Sequence, residues 1–264
     1  MAGIGKELRD HVGGLMLRRT KEEQNIGLPT KTPRPVECPM SSEQQSLYEQ
    51  AREAVTETGG ADDQSDTGQG RHLAALWHLR QISLHPDLVG GGRIASAKNA
   101  ADSRRVLERS GKLAWLLQQL DAIERKGEKV LIFCVLKQLQ EALARHLQLI
   151  FGVVIPVING DTKAGSVNAP ETRLGLINDF SNRPGFGVCV LSPIAAGAGL
   201  NIVAANHVIH LERHWNPAKE DQATDRAYRI GQTKPVTVYL PSATHPEFQS
   251  FDSILHRLLA KKRG

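Results

Sequence analysis

The densest set of chemistry-bearing residues lies between Leu191 and Gln232, in the run LSPIAAGAGLNIVAANHVIHLERHWNPAKEDQATDRAYRIGQ. Within it Asn216 and Pro217 are the residue types that cap a helix and occupy its first position. On that predicted helix Gln222, Arg226 and Arg229 fall at i, i+4 and i+7 and share one face, while Ala223, Ala227 and Ile230 line another. Two guanidiniums aligned along a helix edge can present a fork to phosphate. The alternative is a solvated charged face, with Glu220 and Asp225 as surface partners. The run starts where an apolar segment, FGVCVL at 186–191, ends, and open α/β sheets hold ligands at that end of their strands. There Ala195, Ala196, Gly197, Ala198 and Gly199 leave room for close backbone approach to a ligand, or else serve only a tight strand-to-helix turn.

Other candidates carry less chemistry. His207, His210 and His214 surround a strand and loop without zinc spacing, and a structural role is expected for them. Lys261, Lys262 and Arg263 suit a solvated helix end. Arg18, Arg19 and Lys21 are read as packing or docking residues before nucleic-acid contacts. The three cysteines, Cys38, Cys134 and Cys189, lie far apart and form no metal or disulfide pattern. Cys134 and Cys189 sit in apolar runs, so buried free thiols and a reducing, cytoplasmic setting are expected.

The elements that position these residues follow from the hydrophobic pattern. The chain has 264 residues, 40% hydrophobic, 23% charged and 5% aromatic, a globular composition that excludes wholesale disorder. Its formal charge of +5 is compatible with a polyanionic partner but does not demand one. No apolar run approaches about 18 residues, so no membrane span or membrane partner is expected, and MAGIGKELRD lacks a signal-peptide core. Residues 1–36 are mixed and basic, and Pro29, Pro33 and Pro35 make their end extended. Helices are expected at 41–54 and about 71–83, the second with Leu73, Leu76, Trp77 and Arg80 at helical spacing, and Pro86 stops it. A polar surface loop is expected at 56–70 and a linker at 90–105.

From 106 onward the texture changes. Leu113, Leu116, Leu117 and Leu120 mark an amphipathic helix at 112–124. Strands at 129–135, 153–158, 186–191, 207–211 and 235–240 then alternate with helices at 138–150 and about 171–181. Strands apolar throughout belong in a sheet covered on both faces, and their alternation with helices implies parallel βαβ crossovers. A last helix at about 246–262 is expected to bury Phe248, Phe251, Ile254, Leu255, Leu258 and Leu259.

The string WNPxxExQAxxRAxRIGQ, here Trp215 to Gln232, closely resembles the sixth helicase motif of the Swi/Snf family of superfamily-two ATPases. Other family blocks occur in the right order. LMLRRTK at 15–21 with LPTK at 28–31 resembles the approach to the second lobe, and LRQISLHPDL at 79–88 the leucine-arginine…histidine-proline-leucine block. SGKL at 110–113 with KVLIFCV at 129–135 resembles the fourth motif. INGDT at 158–162 with Arg173 and Phe180 matches the next block, and LSPIAAGAGLN at 191–201 the fifth motif.

The resemblance implies an α/β fold: a RecA-like parallel sheet with helices on both faces, preceded by a helical family-specific segment. It divides the chain into a lead-in from the first lobe at 1–37, a helical segment at 38–106, the second RecA-like lobe at 107–245 and a C-terminal helix at 246–264, similar to the tails of bacterial members. It implies the second lobe of a DNA-dependent, ATP-driven double-stranded DNA translocase that remodels nucleoprotein, acting in the cytoplasm at the bacterial nucleoid. Arg226 and Arg229 match the family's two arginines, which stabilise charge on the transferring phosphoryl group, and Gln222 helps to align it. Gly197, Gly199 and Asn201 are the implied nucleotide-binding residues, and Gly160, Asp161, Thr162, Ser192 and Trp215 the implied DNA contacts. Trp215 is also read as a packing residue.

ATP and Mg2+ are the implied ligands of the full-length protein, held mainly by the first lobe and not tightly by this chain; that lobe and double-stranded DNA are the implied partners. The sequence contains no GxxxxGK followed by Ser or Thr, and no Asp-Glu-x-His box, so the chain alone is expected to be inactive. In the fifth motif Ser192-Pro193-Ile194-Ala195-Ala196-Gly197 replaces the usual Ser-Thr-Lys/Arg-Ala-Gly-Gly, losing a hydroxyl and a cation that suit phosphate. Two rival readings remain open: an RNA or single-strand helicase lobe, and a degenerate nucleic-acid-binding or scaffold module.

Overall fold

A computed structural model of the protein describes residues 27–57, 66–195 and 199–263. The helices are α1 (Ser42–Glu57), α2 (Asp66–Leu84), α3 (Ala100–Leu107), α4 (Gly111–Glu124), α5 (Lys137–Phe151), α6 (Arg173–Asn182), α7 (Pro217–Thr224) and α8 (Phe251–Arg263), with a 3-10 segment at Pro86–Gly91. The strands are β1 (Lys31–Pro39), β2 (Lys129–Phe133), β3 (Val157–Ile158), β4 (Gly187–Leu191), β5 (His207–His210) and β6 (Val236–Thr244). Among the described residues they form one 6-stranded sheet in the order β1-β6-β5-β2-β4-β3, and every pairing is parallel.

The unbroken apolar runs are explained by burial on both faces. Val130 and Ile132 of β2 join Val188, Val190 and Ile209 beneath the leucine stripe of α4 and Leu139, Leu143 and Leu147 of α5. The alternate residues Leu131 and Phe133 face the other way, packing with Leu191, Val208, Ile177 and Phe180 of α6 and Ala223 of α7. A third cluster at the far end of β6 joins Tyr48 of α1, Ile82 of α2 and Phe251, Leu255 and Leu259 of α8.

Local sequence explains the helix starts. Ser41 and Gln44 form a reciprocal capping box for α1, each backbone N–H donating to the other's side chain at 3.2 Å. Gln44 is fully buried, donates to the Ile82 carbonyl at 2.6 Å and accepts from the Gly111 N–H at 2.9 Å, which fastens α1 to α2 and α4. Asn216 caps α7 through the Ala218 N–H at 3.0 Å, with Pro217 in the first turn.

Several expectations are corrected. The extended 31–39 segment is a sheet strand, pairing with β6 from Lys31↔Val236 to Pro39↔Thr244. Pro33 and Pro35 are two apart, so their missing N–H groups share one side; β1 is an edge strand, and that side faces outward. The 90–105 stretch is not wholly a linker, because Asn99 caps α3, and the buried His146 bonds both Ser103 Oγ (3.1 Å) and the Ala95 carbonyl (3.0 Å). The final helix starts at Phe251, and Ile254 and Leu258 are exposed rather than buried. Leu73, Leu76 and Trp77 of α2 are exposed as well, while Arg80 is buried. The 56–70 loop is narrowed by α1 and α2, and residues 58–65 within it lie outside the described residues, as do Arg18, Arg19 and Lys21. All three cysteines are buried free thiols, and burial pushes the Cys38 thiol up to about 11.

Candidate nucleotide and nucleic-acid site

The arginines are reached by a different route from the expected one. Helix α7 ends at Thr224, so Arg226 and Arg229 stand on the turns that follow, not on a continuous helical face with Gln222. A continuing helix would pair the Arg226 carbonyl with the N–H four residues on. Here that carbonyl accepts from Ile202 N–H at 2.8 Å, and the Arg226 Nη1 donates to the Leu200 carbonyl at 3.3 Å. Gln232 completes the clasp by donating to the carbonyls of Val203 (3.1 Å), Ala205 (2.9 Å) and Ala227 (3.1 Å). The arginine turns are thereby bound to the chain that follows the small-residue segment.

This contact brings Gly199 and Asn201 beside Arg226. Gly199 adopts a left-handed φ of 74°, which suits glycine, and both residues are exposed. Gly197 lies outside the described residues. Arg226 is half-buried, and burial first, then the charge of Arg229, lowers its pKa below the ordinary arginine value. Gln222 and Arg229 are exposed.

A second group gathers where β2, β4 and β3 end. Ile158 pairs with Leu191, and Ser192 N–H donates to the Ile158 carbonyl at 2.9 Å, so the 159–162 loop and Ser192 leave the sheet side by side. Gly160 is exposed, with open space where a Cβ would stand. Thr162 Oγ1 is occupied locally, accepting from Asn159 N–H at 3.1 Å and donating to the Val157 carbonyl at 3.3 Å. Arg173 clips the loop by donating to the carbonyls of Thr162 (2.9 Å) and Asn159 (3.3 Å). Asp161 is exposed and ion-paired to Lys137, whose Nζ lies 2.7 and 2.6 Å from its two oxygens.

Glu212, just past β5, supports this edge from behind. Its Oε2 accepts from the N–H groups of Val135 (2.6 Å) and Leu136 (2.9 Å), and its Oε1 meets Arg80 of α2 at 2.6 Å. Sequence reasoning gave no role to Arg80, Lys137 or Glu212. The available signals were a charged residue directly after an apolar strand and an arginine within LRQISLHPDL.

Trp215 sits elsewhere. Its ring packs edge-on against Phe251 of α8 with centroids 5.5 Å apart, and it lines an apolar cavity with Tyr48, Leu76, Leu79, Leu255 and Leu258. The neighbouring Arg213 is buried and clasps Glu220 of α7 at 2.6 and 2.9 Å. His210 bonds Thr224 at 2.8 Å, and His207 meets Glu128 at 2.7 Å. Among the described residues no group of three or more His, Cys, Asp or Glu could hold a metal ion, and no helix is long and apolar enough to cross a membrane.

Comparison with known proteins locates this architecture. Residues 111–231 match the helicase conserved C-terminal domain, and residues 2–88 match the SNF2-related domain. The chain is 40% identical over 268 residues to the Zorya protein ZorD of Escherichia coli, a match covering 98% of this chain and 23% of that protein. It is 36% identical over 255 residues to the putative ATP-dependent helicase/translocase YwqA of Bacillus subtilis, covering 94% of this chain and 26% of that protein. The chain thus spans about a quarter of the length of these curated relatives. Among solved structures, the Sulfolobus solfataricus SWI2/SNF2 ATPase core in complex with dsDNA aligns with a TM-score of 0.67 at 28% identity, over 98% of this chain and 50% of that one. The C-terminal domain of a Sulfolobus solfataricus SWI2/SNF2 ATPase aligns with a TM-score of 0.64 over 89% of this chain and 87% of that one; at 24% identity it supports the fold. Sheet order, helix placement and both domain matches agree, and the chain belongs to the Swi/Snf family of helicase-like ATPases as its C-terminal RecA-like lobe.

Proposed function

We propose that this chain is the second ATPase lobe of a DNA-dependent, ATP-driven double-stranded DNA translocase or remodeller, working at the bacterial nucleoid with a first lobe of the same polypeptide. The observation that carries the reading is the Arg226 clasp. A half-buried guanidinium is held by the Leu200 carbonyl, and burial first, then the neighbouring Arg229, lowers its pKa while Asp225 acts the other way. Two guanidiniums this close suit a polyanion such as the phosphates of ATP. Gly199 and Asn201 border the same place and complete the nucleotide side of the lobe.

MgATP is the substrate: water takes up its γ-phosphoryl group, the bond to the bridging oxygen breaks, and ADP leaves. Arg226 and Arg229 offset the negative charge that grows as the bond to the leaving group lengthens, and Gln222 orients the terminal phosphate. Pre-fixing Arg226 through a backbone carbonyl reduces the reorganisation needed when the lobes close. On the other edge the ends of β3 and β4 present Gly160, Thr162 and Ser192 toward one strand of duplex DNA, with backbone rather than base contacts. Support comes from the family membership and from the solved relative, whose own structure holds dsDNA.

The test is ATP turnover by the full-length protein with duplex DNA, single-stranded DNA and duplex RNA in competition. Duplex DNA is expected to give the largest stimulation. Preferential stimulation by RNA or by single strands would replace this reading with that of a strand-separating helicase.

A further inference from the structure

At the DNA-facing edge one residue has the wrong charge for its proposed partner. Asp161 lies in the exposed 158–162 loop, where a carboxylate repels phosphate. The same carboxylate is held in place. Its backbone N–H donates to Asn159 Oδ1 at 2.9 Å, and Asn159 Nδ2 donates to the buried Gln140 Oε1 at 3.0 Å. The carboxylate in turn holds the Lys137 ammonium at 2.7 and 2.6 Å.

Lys137 is equally well placed. It is the first residue of α5, where the macrodipole favours an anion. The two residues before it are pinned by Glu212, which accepts both of their N–H groups, and Glu212 is itself paired with Arg80. Ser192 leaves the neighbouring strand on the same edge. A cation stands here on a rigid base beside the proposed backbone contacts. Both partners are solvent-exposed, with side-chain exposures of 56% and 71%, so the pair can part without uncovering a buried charge.

Building on the duplex-DNA reading, we infer that Lys137 is a phosphate-contacting residue of this lobe, and that Asp161 is not a contact but an internal competitor that holds Lys137 in reserve. DNA binding exchanges one anion for another at the Lys137 ammonium: the carboxylate gives way to a backbone phosphate. The two members of one ion pair then have opposite effects on affinity. An ion pair with only a structural role would leave the log–log salt slope of binding unchanged in both variants.

The experiment is fluorescence-anisotropy titration of the 264-residue chain with a labelled blunt DNA duplex over a series of potassium chloride concentrations, with thermal melts to confirm folding. Lys137→Ala is expected to weaken binding several-fold at low salt, equally for unrelated sequences, and to reduce the log–log salt slope by about 1. Lys137→Arg is expected to keep the wild-type slope. Asp161→Asn is expected to tighten binding several-fold at low salt. Salt-dependent binding that Lys137→Ala does not move, or an Asp161→Asn variant that binds more weakly, overturns the assignment while leaving the duplex-DNA reading intact. Absence of salt-dependent binding by the wild-type chain overturns both. If Lys137→Ala lowers the melting temperature substantially, Lys137→Gln replaces it, with the same slope change expected.

Discussion

The Arg80 guanidinium lies 2.6 Å from the Glu212 carboxylate, and the two side chains are only 8% and 3% exposed. One comes from the helical block between β1 and β2, the other from the end of β5, so a buried ion pair joins the block to the sheet. Arg80→Ala would leave the carboxylate buried with its cation gone, and such a loss costs about 3–5 kcal/mol. Urea unfolding monitored by circular dichroism is the check. A cost below about 1 kcal/mol would mean that water reaches Glu212 once Arg80 is trimmed.

The arginines should act on rate rather than on nucleotide affinity. Their proposed work is on charge that exists mainly in the transition state, so their removal should lower kcat far more than it weakens ATP binding. Arginine fingers elsewhere are worth roughly 10³–10⁵ in kcat, and Arg226→Ala and Arg229→Ala in the full-length protein should each cost at least about a hundredfold. Lysine should rescue little, because an ammonium lacks the planar fork. Arg226→Ala also removes the bond to Leu200, so its melting temperature must be compared with that of Arg229→Ala. Near-normal DNA-stimulated kcat in both folded variants would place this turn away from the nucleotide.

The chain by itself should hydrolyse no ATP above background, with or without duplex DNA. It has the arginine half of the proposed site and no phosphate loop or acidic box in its sequence. Steady phosphate release by highly purified chain, abolished by Arg226→Ala, would contradict a two-lobe site.

Much of the central sheet was legible because β2, β4 and β5 are continuous apolar runs, the mark of strands covered on both faces. Strand β1 was hidden for the opposite reason. It is an edge strand with mostly exposed side chains, and it owes its place to β6 rather than to its own pattern. Helix α3 was masked by small and polar residues; Leu107 anchors it in the core, and Ser103 and Arg104, the latter paired with Asp121 at 2.7 Å, complete its docking. The arginines were legible as residue types and in their order, but their helical alignment was not. A bond from Ile202 decides where α7 stops, and spacing within 216–232 carries no information about Ile202. Lys137 was missed similarly, because its meaning comes from Asp161 across a loop.

Acid should destabilise the lobe well before its carboxylates are titrated. His85, His146 and His207 all have pKa values below the ordinary imidazole value of 6.5, burial being the main cause in each. In the unfolded chain they regain that value. As pH falls through it, the unfolded chain takes up protons that the folded chain refuses, so stability drops on acidification and levels off above about pH 7. Each imidazole contributes at most about 1.4 kcal/mol per pH unit over that window. Glu128, whose carboxyl is held low by His207 and Lys234, acts in the same direction at still lower pH. Unfolding titrations between about pH 7.5 and 5.5 should show this slope, reduced in a His146→Gln variant. A flat profile would mean that the buried imidazoles accept protons in place.

The pairing of β1 with β6 also bears on how the lobe is made. Among the described residues the strand at 31–39 precedes every other strand, and its partner in the sheet, 236–244, follows them all. During translation β1 can find no native neighbour until almost the whole described chain has left the ribosome, and closing so long a loop is slow. Its prolines and charged residues, Pro33, Arg34, Pro35 and Glu37, suit that wait, since they discourage pairing with other nascent chains. The β6 edge, buried and far more apolar, emerges after the other strands, when β1 is already there to cap it.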